Sequence, residues 1–293
     1  MEFNTLDDFD LQDKTVFVRV DVNSPLDPET GEIMDDNRIV KCSDTITELS
    51  DKGANVVVIA HQGRPGSDDF STLENHAGKM SEVLGKEVEY IDDLFGPAAR
   101  EKISNLESGD ILLLENARFY SEEVLNRDPE KQAKTHFVRK LAPLGDIYVN
   151  DAFAAAHRSQ PSLVGFGVLL PAVAGRLMES ELKGLGKARD PEHPCIYVLG
   201  GAKVEDSLNL IEHVFERDIA DKVLIGGLVG QVLLYAGGND LGEANAEIIE
   251  EKGFADQKEK AENILSEYGD QIELPSDIRD EVEEGEASEY LVD

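Results

Sequence analysis

Short apolar runs recur along the chain, and each stops at a loop rich in glycine, asparagine or a cation. The run TVFVRV at 15–20 enters Asp21-Val22-Asn23-Ser24-Pro25, NVVVIA at 55–60 enters His61-Gln62-Gly63-Arg64-Pro65-Gly66, and DILLL at 110–114 enters Glu115-Asn116-Ala117-Arg118. A strand at 146–149 reaches Asn150-Asp151 and then His157-Arg158, CIYVL at 195–199 reaches Gly200-Gly201-Ala202-Lys203, and KVLI at 222–225 reaches Gly226-Gly227. Runs this short, apolar without alternation, read as strands buried on both faces, which is the signature of a parallel sheet under helices. A further short strand is expected at 88–91.

The intervening segments carry helical signals. Helices are expected at 43–52 (Ile46 and Leu49 before Gly53), at 71–84 (stopped by Gly85), and at 129–141 from an initial proline. A helix over 171–188 could join two domains, followed by a polar linker at 189–194. Further helices are expected at 205–217, from Gly226-Gly227 through Tyr235, and as one long acidic stretch at 244–268. The charge-rich end, 277–293, offers no clear partner elements. Strand alternating with helix predicts two doubly wound α/β units, and the length of 293 residues fits two domains. Their expected extents are 1–170 and 171–293.

Composition matters for the ligand. With 61 acidic residues against 28 Lys and Arg, the formal net charge is -33, so the mean field repels nucleic acid and anionic membrane. A cation pair such as His157-Arg158 stands out in such a chain. The spread of acidic residues through most segments fits the carboxylate-rich surface that halophilic proteins use in concentrated salt. Cys42 and Cys195 lie far apart, outside any CxxC or Cys/His ligand spacing, so neither a disulfide framework nor a protein metal site is expected. Residues 1–13 lack an apolar signal core and no apolar stretch approaches a membrane span, so a soluble, cytoplasmic protein, expected to be a monomer, is the reading.

In a parallel sheet, ligands bind outside the carboxyl ends of the strands. That rule puts Asp21 and Asn23, His61 and Arg64, Arg118, and His157 and Arg158 on one edge, with Arg38 in the first loop. The natural complement is a small ligand bearing phosphate and carboxylate, because guanidinium forks bind both in bidentate fashion. In the second half, Gly200, Gly201 and Lys203 before a helix suit a nucleotide phosphate, although GxxxxGK[ST] is absent. Gly226 and Gly227 could allow close approach of an adenine ring or form a packing turn.

In this order along the chain, VRVDVNSP, DDNRIV, AHQGRP, LLLENARFY, NDAFAAAHRS and LGGAKVEDS resemble phosphoglycerate kinase over residues 11–242, and the acidic composition resembles haloarchaeal members. The resemblance implies transfer of the acyl phosphate of 1,3-bisphosphoglycerate to ADP held with Mg2+, giving 3-phosphoglycerate and ATP. It implies a substrate cup with walls at Asp21, Val22 and Asn23, at Arg38, at His61, Gln62, Gly63 and Arg64, at Arg118, and at His157 and Arg158. Lys203 would stabilise the transferring phosphoryl group, and Arg38 is the expected catalytic residue of the first half, since its fork can bind the attacking carboxylate. The nucleotide would lie on Gly200, Gly201, Lys203, Gly226 and Gly227. The sequence departs from the family at Gln160 (often a second histidine), Ser207 (often a second lysine) and Leu228 (often a third glycine). It also lacks the NGP-type and GGGD-type motifs of the family's C-terminal region, so the second domain is expected to be incomplete. Two expectations follow: a phosphoglycerate kinase, or a truncated, non-catalytic 3-phosphoglycerate-binding protein.

Overall fold

A computed structural model describes residues 3–189, 191–251, 253–283 and 286–291. Asp190 of the expected linker, and part of the charge-rich end, lie outside them. The chain forms two units, Met1–Leu185 and Gly186–Asp293.

In the first unit the apolar runs become strands β1 (Thr15–Arg19), β2 (Asn55–Ile59), β3 (Glu89–Ile91), β4 (Ile111–Leu114), β5 (Ile147–Asn150) and β6 (Ala172–Ala174). They form one sheet in the order β3-β4-β2-β1-β5-β6, and all its pairings are parallel. The helices are α1 (Asn37–Asp51), α2 (Glu74–Leu84), α3 (Pro97–Ser104), α4 (Pro129–Gln132), α5 (His136–Leu141) and α6 (Arg176–Arg189), whose last residues, from Gly186, belong to the second unit.

Alternation along the strands separates two cores. Val16, Val18, Val56, Val58, Leu113 and Val149 pack with Ile39, Ile46 and Leu49 of α1 and with Met80 of α2. Phe17, Val57, Ile59, Leu112, Leu114 and Tyr148 pack on the other face with Ile103 of α3, Phe137 and Leu141 of α5, and Phe166. Both faces are therefore covered, as the continuous apolar runs require. Arg19 shares its face with Phe17 by the period of two, and is fully buried.

Several boundaries differ from the sequence reading. Helix α1 begins at Asn37, so Arg38 stands in its first turn and not in a loop. The buried stripe Ile39, Cys42, Ile46 and Leu49 continues at helical spacing back to that turn and explains the early start. The expected helix at 129–141 is two short ones, and the one expected at 171–188 is strand β6 followed by α6. Helix α3 was not anticipated.

The second unit has a three-stranded parallel sheet, β7 (Ile196–Leu199), β8 (Lys222–Ile225) and β9 (Ile272–Glu273), in that order. Helices α7 (Val204–Glu216), α8 (Gly227–Ala236), α9 (Glu243–Glu251) and α10 (Lys258–Tyr268) accompany it. Val223, Ile225 and Ile272 form its core with Leu208, Ile211, Val232, Leu233 and Ile264. The expected single helix at 244–268 is interrupted by Gly253, whose φ of 71° is left-handed. At the end, β10 (Asp277–Glu283) and β11 (Glu286–Leu291) pair antiparallel with each other.

Candidate functional site

Loops at the carboxyl ends of β1, β2, β4 and β5, with the first turn of α1, enclose a cleft of about 250 Å³. It lies where the strand order turns back on β1, the usual ligand position in such sheets. Asp21, Asn23, Arg38, His61, Gly63, Arg64, Arg118 and Arg158 line it, together with Ser67 and Asp69. His157 lies in a broader neighbouring cleft of about 600 Å³ that shares Arg64, Arg118 and Arg158 and includes Gln160.

The loops brace one another. Asp21 accepts the Asn23 N–H at 3.1 Å and also binds the Arg38 guanidinium. Asn23 Oδ1 accepts the Gly63 N–H at 2.7 Å, and the Gly63 carbonyl accepts from Arg118. Gly63 needs its positive φ of 67°, and a Cβ there would meet the Asp69 carbonyl oxygen at 2.6 Å. Val22 and Gln62, expected in the substrate wall, are fully buried behind it. Val22 belongs to the core under α1, while the Gln62 amide ties the first two loops by accepting the Ser24 N–H and donating to the Ser24 carbonyl, both at 2.9 Å.

Four guanidinium groups, of Arg38, Arg64, Arg118 and Arg158, face two carboxylates, of Asp21 and Asp69, in the lining of this cleft. The local sign is therefore opposite to that of the chain. Burial, followed by the neighbouring Arg158, Arg19 and Arg64, lowers Arg118 to about 10, which still leaves it charged at neutral pH. His61 differs from the sequence reading, which counted it among the potential cations. Burial foremost, and then Arg19, Arg118, Arg158 and Arg38, hold its pKa far below the ordinary histidine value, so the ring is neutral. The excess of guanidinium groups over carboxylates makes the cleft complementary to a small anion.

Sequence reasoning missed the groups behind the cleft. Arg19 donates from Nε to Ser162 Oγ at 2.9 Å, and Ser162 in turn donates its N–H to buried Glu123 at 3.0 Å. Asn116, also fully buried, donates to the carbonyls of Gln62 and Ser71 at 2.8 and 2.7 Å and so holds both ends of the loop after β2. One signal was available: an arginine inside an otherwise apolar strand is rare unless it is paired.

In the second unit, Gly200, Gly201 and Lys203 follow β7, and Gly226 and Gly227 follow β8. Gly201 has φ of 100° and Gly227 φ of 60°, and a Cβ on Gly227 would stand 2.9 Å from the Gly201 nitrogen. The two loops thus meet backbone to backbone, and exposed Lys203 stands at the N-terminal boundary of α7 as Gly226 does at that of α8. Two helix N-termini and an ammonium at adjacent strand ends fit phosphate oxygens.

The chain also matches known proteins. A family model described as phosphoglycerate kinase matches residues 6–290. The phosphoglycerate kinase of Methanobacterium bryantii is 57% identical over 279 residues, which cover 95% of this chain and 68% of that protein. That of Methanothermobacter thermautotrophicus is 53% identical over 278 residues, with 94% and 68% covered. Among solved structures, the phosphoglycerate kinase from Pyrococcus horikoshii OT3 matches with a TM-score of 0.82 and 48% identity, covering 98% of this chain and 71% of that one.

Proposed function

The chain belongs to the phosphoglycerate kinase family, and from that premise we propose how its residues share the work of moving a phosphoryl group between 1,3-bisphosphoglycerate and ADP. The observation that carries the proposal is the cleft in which four guanidinium groups converge in a chain of net charge -33. Arg64, Arg118 and Arg158 hold the phosphate end of 3-phosphoglycerate, with His157 at the outer margin. Arg38 holds the carboxylate, and Asp21 and Asn23 keep Arg38 and Gly63 in place.

In the direction that consumes ATP, a carboxylate oxygen of 3-phosphoglycerate attacks the γ-phosphorus. The new acyl phosphate bond forms as the bond from that phosphorus to the β-γ bridging oxygen breaks, and ADP leaves with the electron pair. The carboxylate carries no proton, so no general base is required, and positioning with charge stabilisation supplies the rate. Arg38 is the catalytic fork on the attacking side and Lys203 the cation on the transferring group. Gly200, Gly201, Gly226 and Gly227 accommodate the nucleotide by close backbone approach. Mg2+, arriving with the nucleotide at the loops of Gly200, Gly201 and Lys203, would supply neutralisation of the phosphate charge.

We also read the protein as a soluble cytoplasmic monomer of haloarchaeal type. The acid-rich composition supports this reading, and no helix among the described residues is long and apolar enough to cross a membrane. The deciding experiment is a calorimetric titration with 3-phosphoglycerate beside a coupled assay of ATP-dependent turnover on this chain. Saturable binding with turnover is expected. Binding with no turnover would remove the enzymatic assignment, and no binding would remove the cup.

A further inference from the structure

His61 lines the cleft, and its Nδ1 stands 2.7 Å from a terminal nitrogen of Arg19. A guanidinium has only donors, so at this contact Nδ1 is the acceptor and carries no proton. The ring's proton therefore sits on Nε2, the nitrogen that Arg19 does not engage. Arg19 is itself immobilised: it is fully buried, its Nε donates to Ser162 Oγ at 2.9 Å, and its other terminal nitrogen donates to the Val20 carbonyl. Ser162 links it to the buried Glu123 through the Ser162 N–H, at 3.0 Å, and through the hydroxyl. Tyr148 donates to the Ser162 carbonyl at 2.7 Å, so strands β1 and β5 fix the same hub.

We propose that Arg19 is a positioning residue that holds His61 as the neutral Nε2–H tautomer, so that His61 gives the cleft a fixed hydrogen-bond donor instead of a charge. The inference rests on the substrate reading above. Such a donor suits a substrate hydroxyl or a carboxylate oxygen, and it adds no further repulsion among the arginines. Its protonation state is also insulated. Arg19 from β1, Arg38 from α1, Arg64 from its own loop, Arg118 after β4 and Arg158 after β5 surround the ring with positive charge, against Asp21 and Asp69 in the cleft and Glu123 behind Arg19.

The test is nitrogen-15 NMR of the full chain with labelled histidine, with the His61 signals identified by their loss in His61→Gln. In the unaltered protein, His61 is expected to show a protonated Nε2 and a bare Nδ1, unchanged from about pH 5 to pH 9. A ring protonated on Nδ1, or one that titrates near neutrality, overturns the proposal whatever the turnover. Because this readout requires no ligand, it stands apart from the titration: an Nε2–H ring in a protein that fails to bind 3-phosphoglycerate would sink the cup and spare the tautomer. The double variant Arg19→Met/Glu123→Gln removes the charge without leaving a lone buried carboxylate. It is expected to mix the tautomers and to raise the KM for 3-phosphoglycerate by about 10- to 100-fold while kcat falls less. Arg19→Lys, which cannot reach Ser162 and His61 together, is expected to lie between. An unchanged tautomer in the folded double variant would also defeat the role assigned to Arg19.

Discussion

Arg38 and Gly63 show how differently two residues of one cleft should respond to change. The Arg38 side chain is 45% exposed and its partner Asp21 only 11%. An ion pair with so accessible a member is worth at most about 1 kcal/mol to stability. Arg38→Ala should therefore leave the melting temperature nearly unchanged while lowering kcat by about 100- to 1000-fold, the usual effect of removing one preorganised donor. Arg38→Lys should not restore it, because an ammonium lacks the fork. Retained activity in a coupled assay at high salt would defeat the catalytic assignment. Gly63→Ala acts on the backbone instead. With φ at 67° and the Asp69 carbonyl oxygen 2.6 Å from the new Cβ, the loop must move. A cost of about 1–3 kcal/mol is expected, visible as a lower melting temperature together with weaker 3-phosphoglycerate binding in calorimetry. The clamps from Asn23 and Arg118 both end on this residue.

At the scale of elements, the junction of β5 and α6 carries a pH dependence. Asp151 follows β5 directly, is fully buried, and accepts the Met178 N–H at 3.1 Å in the first turn of α6. Burial raises its pKa to about 6 in spite of the Met178 N–H, the Thr45 hydroxyl and the Leu177 N–H, which favour the anion. A carboxyl raised in the folded state holds its proton more tightly there, so between about pH 4 and pH 6 the folded protein binds more protons than the unfolded one. Stability contributed by this group is then full below that window and lost as pH rises through it, by about 3 kcal/mol for a shift of about two units. Asp151→Asn should remove this slope, so that the difference in melting temperature between variant and parent changes steadily from pH 4 to pH 6 and is flat above. A constant difference would deny Asp151 the titration. This junction also marks where the sequence was hard to read. The apolar strands were legible because nothing else explains runs such as NVVVI, but β6 is only Ala-Val-Ala, and its small residues passed as the start of a helix. The first turn of α1 was hidden by Asp35, Asp36, Asn37 and Arg38, which look like a loop until the buried Ile39 and Cys42 are counted on the same face as Ile46.

On the scale of the whole molecule, the cleft was legible because its cations follow separate strands, and a parallel sheet gathers strand ends on one edge. Arg19 was not, because an arginine in an apolar run signals only that it must be paired, and its partners, Ser162 and His61, come from distant parts of the chain. The neutral state of His61 was hidden as well, since it depends first on burial and then on that arginine. The net charge of -33 sets the last expectation. Self-repulsion among exposed carboxylates opposes the compact state, and added salt shortens its range, from a screening length of about 10 Å at 0.1 M to about 3 Å at 1 M. Melting temperature should therefore rise as KCl is raised from about 0.1 M to about 2 M, whereas an ordinary charge-balanced surface would respond weakly. The cleft works in the opposite sense. Its attraction for 3-phosphoglycerate is also screened, but Arg118 is only 7% exposed and the groups around it are partly enclosed, so affinity should fall by less than it would on an open surface. Thermal melts and 3-phosphoglycerate titrations across one KCl series should thus move in opposite directions. A melting temperature that stays level or falls with KCl would end the reading of this surface as an adaptation to salt, and would leave the cleft's own chemistry intact.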